Sequence, residues 1–204
     1  MKNLALTRIQ KMDGYNPPID GRSKFDGVLL DFNERTKDPD KKVLNSVKKF
    51  IDDQKLQIYP EYFDLEKKIA KYVGVGSEQI MITNGSDQGM DIIFRTFTDE
   101  RDKVIIPSPS FAMFYQCAQI VGNKILKPLY RVRDLSFPLE EVLKLIDKDV
   151  KLVVICNPNN PTGTLVGLGD IEKIAKKAKN AIVYVDEAYF EFSKLSAVAL
   201  IKKY

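Results

Sequence analysis

The sequence predicts an α/β fold in which a mostly parallel sheet lies between two layers of helices. Short β-branched runs alternate with helical segments from about residue 80 onward, and polar clusters follow several of those runs. Parallel strands need crossover connections, which helices provide, so this alternation favours a three-layer arrangement. With 204 residues, of which 44% are hydrophobic, the chain can bury one sizeable core.

The first predicted elements are an irregular arm and two helices. Residues 1–37, which include Pro17-Pro18, have few periodic apolar positions and form the arm. Asp38-Pro39 is expected to open a helix, because a capping residue precedes a proline at the first helical position. Its apolar stripe consists of Val43, Leu44, Val47, Phe50 and Ile51. A break containing Tyr59-Pro60 leads to a second helix, for which Gly74 is the expected C-cap.

The remaining elements alternate regularly. Strands are predicted at 80–82, 104–106, 125–129, 152–155 and 182–185. Helices are predicted at 86–97, 111–121, 139–146 and 171–178. We therefore interpret residues 38–204 as one large domain.

Composition narrows the possible functions. The chain has no histidine, which excludes histidine-based triads and histidine metal sites. A net charge of +4, with basic residues dispersed among acidic ones, argues against a nucleic-acid surface but tolerates an anionic ligand. Cys117 and Cys156 lack metal-ligand spacing and predict reduced thiols. No signal-peptide pattern or membrane-spanning run is evident, so we expect a soluble, cytoplasmic protein.

Polar groups follow three of the predicted strands, at the strand ends where open parallel sheets bind ligands. Segment 83–88 leads into a helix, and free N–H groups beside a glycine and a serine suit a phosphate there. The Asn- and Pro-rich segment 157–163 and the carboxylate of Asp186 follow two later strands. Taken singly, these features are also typical of a helix cap, a tight turn and a magnesium-binding strand end.

Two nucleotide-binding classes lack their sequence signatures in this chain. A P-loop NTPase needs G-x-x-x-x-G-K-[ST], which is absent from the sequence. Gly74-Val75-Gly76 follows a helix and lacks the third glycine of a dinucleotide fingerprint. Neither class accounts for the polar strand ends.

Taken together, the motifs resemble those of a known family. Asn-Pro-Asn-Asn-Pro-Thr-Gly (157–163) precedes Asp-Glu-Ala-Tyr (186–189), and Tyr-Pro-Glu (59–61), Asn-Gly-Ser-Asp (84–87) and Pro-Ser-Phe (109–111) lie upstream in that order. This set resembles the class I/II aminotransferases of fold type I, which depend on pyridoxal 5'-phosphate (PLP), and is most similar to the histidinol-phosphate aminotransferase branch. The resemblance runs from about residue 31 to residue 192.

The resemblance implies a role for each matching residue around the PLP ring. Asp186 would pair with the pyridinium nitrogen and keep it protonated, which makes the ring an electron sink. Asn160 and Tyr189 would hydrogen-bond the phenolic oxygen of the cofactor. Phe111 would stack on the ring face, although an aromatic at this position is also typical of a core.

The resemblance also implies phosphate contacts and a partner subunit. Ser86 and Asp87 would bind the phosphate largely through backbone N–H groups, with the Asp87 side chain turned away, for example to cap the helix. Tyr59 would reach the phosphate in the neighbouring subunit of a homodimer; the alternative is a turn aromatic that packs on its own helix. Small-molecule amino donors, such as glutamate, and keto acid or keto phosphate acceptors are the implied substrates.

Three departures from the family pattern limit what the resemblance implies. Asn33-Glu34-Arg35-Thr36 stands where the branch usually has Asn-Glu-Asn-Pro, and Gln88 replaces an acidic residue. The family's Schiff-base lysine lies on a strand after Asp-Glu-Ala-Tyr, and a small C-terminal domain follows it. Lys194 is only eight residues past Asp186, so we interpret it as a surface lysine.

These departures lead us to expect a truncated chain that has no catalytic lysine, lacks the small domain and is inactive alone. Two alternatives remain open: a PLP-dependent lyase or decarboxylase of the same fold, and a non-catalytic binding module.

Overall fold

The computed structural model describes residues 4–17, 19–53 and 56–204. Residues 1–3 and Pro18 of the predicted arm therefore lie outside the described residues. The helices are α1 (Thr7–Gln10), α2 (Lys41–Asp52), α3 (Phe63–Val73), α4 (Gly85–Phe97), α5 (Ala112–Val121), α6 (Leu139–Leu145), α7 (Leu168–Lys177) and α8 (Phe190–Ser193). The strands are β1 (Lys103–Ile105), β2 (Lys124–Leu126), β3 (Val150–Cys156) and β4 (Ile182–Asp186). Short 3-10 turns lie at Arg22–Lys24, Ser77–Gln79 and Val198–Lys202.

The sheet is parallel and lies between two helical layers, which confirms the predicted fold class. Its strand order over the described residues is β2-β1-β3-β4, and every pair is parallel. Along β3, successive side chains point to opposite faces of the sheet. Leu152 and Val154 pack in a cluster with residues of α4 and α5, whereas Val153 and Ile155 pack in a cluster with residues of α6 and α7. Strands buried on both faces explain the continuous apolar runs in the sequence.

The predicted strand at residues 80–82 is wrong. Ile80 has extended dihedral angles, with φ −109° and ψ 133°, but its N–H donates to the carbonyl of Ser77 in a local turn. A strand also needs a hydrogen-bonded neighbour, and within the described residues none pairs with this segment. The sequence therefore predicted the extended conformation of this segment correctly, but not whether it hydrogen-bonds to a neighbouring strand.

The start of α2 also differs from the prediction. The cap is Asp40 rather than Asp38, because the Asp40 carboxylate accepts a hydrogen bond of 2.7 Å from the Lys42 N–H. The apolar residues of the predicted stripe are helical, yet α2 buries none of them. Phe50 and Val47 are 51% and 54% exposed. Helical spacing therefore predicted the element correctly, but not its burial.

The predicted end of α3 is confirmed, whereas the predicted second half of the strand at 125–129 is wrong. Gly74 ends α3 in the left-handed conformation, with φ 80°, as predicted. The strand predicted at 125–129 ends at Leu126, although Leu129 forms an isolated bridge with Ser108. Pro128 lacks a backbone N–H, so a regular ladder cannot continue through it.

No helix within the described ranges is long and apolar enough to cross a membrane.

Candidate functional site

A cleft of about 1290 Å³ opens beyond the carboxyl ends of β3 and β4. Its walls come mainly from the arm, from the segment after β3, and from Tyr189 and the end of α8. Four of the predicted site residues line it: Asp87, Phe111, Asn160 and Tyr189. The carboxyl ends of neighbouring parallel strands meet at one edge of a sheet, which is why segments distant in sequence converge here.

Asp186 ends β4 directly opposite Cys156, the last residue of β3. Its side chain is buried, at 6% exposure. One carboxylate oxygen accepts from the Ala188 N–H at 3.0 Å, and the other accepts from the Tyr184 hydroxyl at 3.1 Å. A carboxylate can accept about four hydrogen bonds, so further donors can still bind it. Over the described part of the chain, no lysine or arginine pairs with Asp186.

A buried carboxylate without a cation is costly, so a cationic group that contacts Asp186 would offset part of that cost. Burial is also the largest cause that raises the pKa of Tyr184, and the nearby Asp186 raises it further. The Tyr184 hydroxyl therefore keeps its proton and remains a donor to Asp186 across the physiological pH range. Burial raises the pKa of the Cys156 thiol to about 12, so this neighbour of Asp186 stays uncharged.

The segment after β3 is fixed by its own asparagine side chains. Asn157 is fully buried: its amide donates to the Val166 carbonyl at 3.1 Å, and its oxygen accepts from the Val166 N–H at 2.8 Å. Asn159 accepts from the Ser110 hydroxyl at 2.8 Å and donates to the Pro109 carbonyl at 3.0 Å. These bonds join the loop after β1 to the loop after β3.

Phe111 and Asn160 are the residues that these loops present to the cleft. Phe111 is the N-cap residue of α5 and meets Phe114 edge-to-face, with ring centroids 6.0 Å apart. Phe114 in turn meets Tyr184 in the same geometry at 6.1 Å. Phe111 is therefore neither free nor fully buried: it is packed on one side and lines the cleft with the remainder.

Two amides converge on the hydroxyl of Tyr189. Asn160 donates to it at 3.5 Å, and Asn33 of the arm donates to it at 2.8 Å. Tyr189 follows β4 and Asn160 follows β3, so the predicted pair is brought together by the β3–β4 register. The Asn33 contact was not predicted.

The N-terminus of α4 carries free backbone donors. Across the described residues, no acceptor is found for the N–H groups of Ser86 and Asp87. The Asn84 N–H is instead taken by the side-chain oxygen of Gln88 at 2.5 Å. The suggestion that Asp87 caps the helix is therefore wrong, because Gln88 occupies that role from the first turn. Unpaired donors and the helix dipole make this terminus suitable for an anion.

Tyr59 and Lys194 do not contribute to the cleft. Tyr59 is 95% exposed, so it does not pack on its own helix. Lys194 ends α8 with φ 59°, is exposed, and lies 5.8 Å from the centroid of the Phe190 ring. Among the described residues that line the cleft, none is a lysine.

Sequence reasoning missed three residues that support the site: Asn33, Asn159 and Tyr184. The signal for Asn159 was present, since three asparagines in one short segment exceed what a turn needs. Tyr184 lies two residues before Asp186 on β4, and this spacing places the two side chains on the same face of the sheet. No local signal identifies Asn33, because its partner is 156 positions away.

Several known proteins are similar to this chain in sequence and fold. The chain is 35% identical to histidinol-phosphate aminotransferase of Thermoanaerobacter pseudethanolicus over 178 residues, covering 86% of this chain and 50% of the relative. The fold is similar to that of histidinol-phosphate aminotransferase from Clostridium acetobutylicum, with a TM-score of 0.71 and 29% identity over 80% of this chain and 49% of that one.

The fold is also similar to that of the Sinorhizobium meliloti histidinol-phosphate aminotransferase in complex with pyridoxal-5'-phosphate. Here the TM-score is 0.80 and the identity 22%, over 94% of this chain and 52% of that one. The chain thus spans about half the length of the relatives it matches.

The family description "Aminotransferase class I and II" matches residues 26–203, which is well over half of the sequence. This family is PLP-dependent. The motif order, the parallel three-layer fold and this match together show that the chain belongs to the class I and II aminotransferase family.

Proposed function

We propose that this chain provides the ring- and phosphate-binding part of a PLP-dependent aminotransferase of the histidinol-phosphate type. The observation that carries the proposal is Asp186, a buried carboxylate that no lysine or arginine of the described residues neutralises. A protonated pyridine nitrogen supplies the missing positive charge. When bound, PLP provides an electron sink for the pair released at the substrate's α-carbon.

Asp186 would hold the proton at the ring nitrogen. Its orientation is fixed from two sides, by the Ala188 N–H and by the Tyr184 hydroxyl. These two hydrogen bonds leave the remaining acceptor positions of the carboxylate for a charge-assisted hydrogen bond from a cationic N–H.

Asn160, Tyr189 and Phe111 would orient the ring. The amide and the phenol hydroxyl are close enough to donate to one phenolic oxygen, since they lie 3.5 Å apart. Phe111 offers a flat apolar surface that excludes water from one ring face. A polar edge beside an aromatic wall fits a planar, partly polar ligand.

The N-terminus of α4 would bind the phosphate through the N–H groups of Ser86 and Asp87, which have no acceptor among the described residues. Asp87 lines the same cleft, and its carboxylate would repel a phosphate dianion. The backbone donors therefore have to outweigh this repulsion, and Asp87 sets a limit on phosphate affinity.

The substrate class follows from the relatives rather than from the cleft. We propose amino-group transfer between an amino acid such as glutamate and a keto phosphate, because the relatives named above are histidinol-phosphate aminotransferases. We also propose that the chain alone is inactive. The support is geometric: Lys194 points to the Phe190 ring, and no described lysine lines the cleft.

A homodimer in the cytoplasm is the proposed form of the protein. Tyr59 is 95% exposed, and α2 leaves its apolar stripe uncovered. Both features support a second copy that covers α2 and receives Tyr59 near its phosphate site. Sedimentation at increasing concentration tests this, with Val47→Glu expected to shift the chain toward monomer.

Titration of the chain with PLP, followed by absorbance and by equilibrium dialysis, tests the site. Asp186→Asn should weaken PLP binding at least tenfold, since it removes the charge that faces the ring nitrogen. Asp52→Asn, an exposed aspartate of α2, is the matched control and should bind PLP normally. Equal affinity in wild type and Asp186→Asn would contradict the proposed ring orientation.

Borohydride reduction of the PLP complex tests the inactivity proposal. Stoichiometric pyridoxyl label at Lys194, mapped by mass spectrometry, would show that the chain supplies its own lysine. A chimera tests the substrate: residues 1–204 joined to the second half of the Thermoanaerobacter relative should transaminate histidinol phosphate. A chimera that binds PLP but prefers unphosphorylated amino acids would count against the histidinol-phosphate type.

A further inference from the structure

We propose that Asn33 is a positioning residue for Tyr189, and that Arg22 holds Asn33 in place. This inference rests on the proposed function, in which Tyr189 donates to the cofactor's phenolic oxygen. The starting observation is the 2.8 Å hydrogen bond from the Asn33 amide to the Tyr189 hydroxyl, which links the arm to the segment after β4.

The Asn33 bond is the shorter of the two that Tyr189 accepts. Asn160 approaches the same oxygen only to 3.5 Å, at the outer limit of a hydrogen bond. A phenol oxygen accepts from such donors and donates one proton of its own. With amide donors on the accepting side, the Tyr189 proton is left for an acceptor in the cleft. Asn33 therefore sets both the position of the phenol and the direction of its donation.

The backbone at Asn33 is shaped for this contact. Its φ is 54°, in the left-handed region that asparagine tolerates better than most side chains. An asparagine here can turn the chain and still direct its amide at Tyr189. A β-branched residue at the same position would be strained.

Arg22 organises the turn that contains Asn33. Its guanidinium pairs with Asp31 at 3.2 Å and with Glu34, and it lies 4.4 Å from the centroid of the Phe32 ring. The Arg22 side chain is only 15% exposed, although Glu34 is 61% exposed. One arginine thus contacts the residues on both sides of Asn33, and its planar fork fixes them together.

The same contacts give the arm a function in the site. Asp31, Phe32, Asn33 and Glu34 all line the cleft. The arm is therefore part of the ring site and not merely a covering segment.

Two measurements on the full chain test the proposal. The first is the ¹³Cζ resonance of Tyr189 in tyrosine-labelled protein without PLP, assigned with Tyr189→Phe. Asn33→Ala should shift this resonance, and Arg22→Gln should shift it in the same direction by a smaller amount. Asn45→Ala, an exposed asparagine of α2, is the control and should leave it unchanged.

The second measurement is the PLP dissociation constant across a double-mutant cycle. Asn33→Ala should weaken binding about three- to tenfold in the wild-type background, as expected for one positioned hydrogen bond. In the Tyr189→Phe background the same change should have almost no effect, because the hydroxyl that Asn33 positions is gone.

The outcomes separate the two proposals. An unmoved Tyr189 resonance in Asn33→Ala overturns the contact. A shifted resonance with equal PLP affinity, or an equal loss in both backgrounds, overturns the positioning role and leaves the proposed function intact. If wild type binds no PLP, the proposed function fails and the positioning role fails with it, whereas the resonance still decides the contact.

Discussion

Replacing Asn157 by alanine should destabilise the chain by about 3 kcal/mol. The side chain is fully buried and makes two hydrogen bonds with the backbone of Val166, which is itself only 2% exposed. Each lost bond costs about 0.5–1.5 kcal/mol, and a buried group left unpaired costs about 1–3 kcal/mol. Water cannot readily replace the amide there, so the Val166 N–H and carbonyl would both lose their partner.

Urea unfolding followed by circular dichroism measures this loss as a lower midpoint with an unchanged slope. Asn45→Ala, on the exposed face of α2, should change the free energy of unfolding by less than about 0.5 kcal/mol. A loss in Asn157→Ala no larger than in Asn45→Ala would refute the reasoning. It would mean that the segment after β3 rearranges to satisfy Val166 by another route.

Three further predictions concern thiols, pH and backbone strain. Burial raises the pKa values of Cys117 and Cys156 to about 11 and about 12, so neither thiol should react with iodoacetamide at pH 8 until urea unfolds the chain. The hydrogen bond from Lys203 lowers the pKa of Glu172 from 4.5 to about 2. The Glu172–Lys203 contact therefore stabilises the fold slightly above pH 4.5, and this stabilisation is lost toward pH 2. The difference in Tm between wild type and Glu172→Gln should shrink over that range. Gly85→Ala should cost about 1 kcal/mol in urea unfolding, because φ is 77° although no atom crowds the new Cβ; no measurable loss would contradict this strain argument.

The regular part of the fold could be predicted because its signals are local. Apolar runs gave β3 and β4, and helical spacing gave α4 and α7 within a few residues. The segment at 80–82 could not be assigned, since a ladder depends on a neighbour that its own residues do not specify. The exposure of α2 could not be predicted for the same reason, because an apolar stripe shows which face of a helix is apolar but not what covers that face.

Site residues could be predicted where a short sequence motif follows a strand and contains the side chain that lines the cleft. Asn160, Tyr189, Phe111 and Asp87 reached the cleft because strand ends converge in a parallel sheet. Asn33 could not be found this way, since its contact depends on how the arm folds back over the domain.

The register between β3 and β4 separates positions where the chain tolerates an extra residue from positions where it does not. Lys179, in the exposed turn before β4, can accept an insertion that merely lengthens a loop. An insertion after Tyr184 would move Asp186 out of opposition to Cys156 and turn its carboxylate toward the face of Val183. The protein would then keep its sheet and lose the carboxylate that we propose faces the ring nitrogen of PLP. We therefore expect insertions and deletions to be tolerated in the turns but not at the ends of the strands.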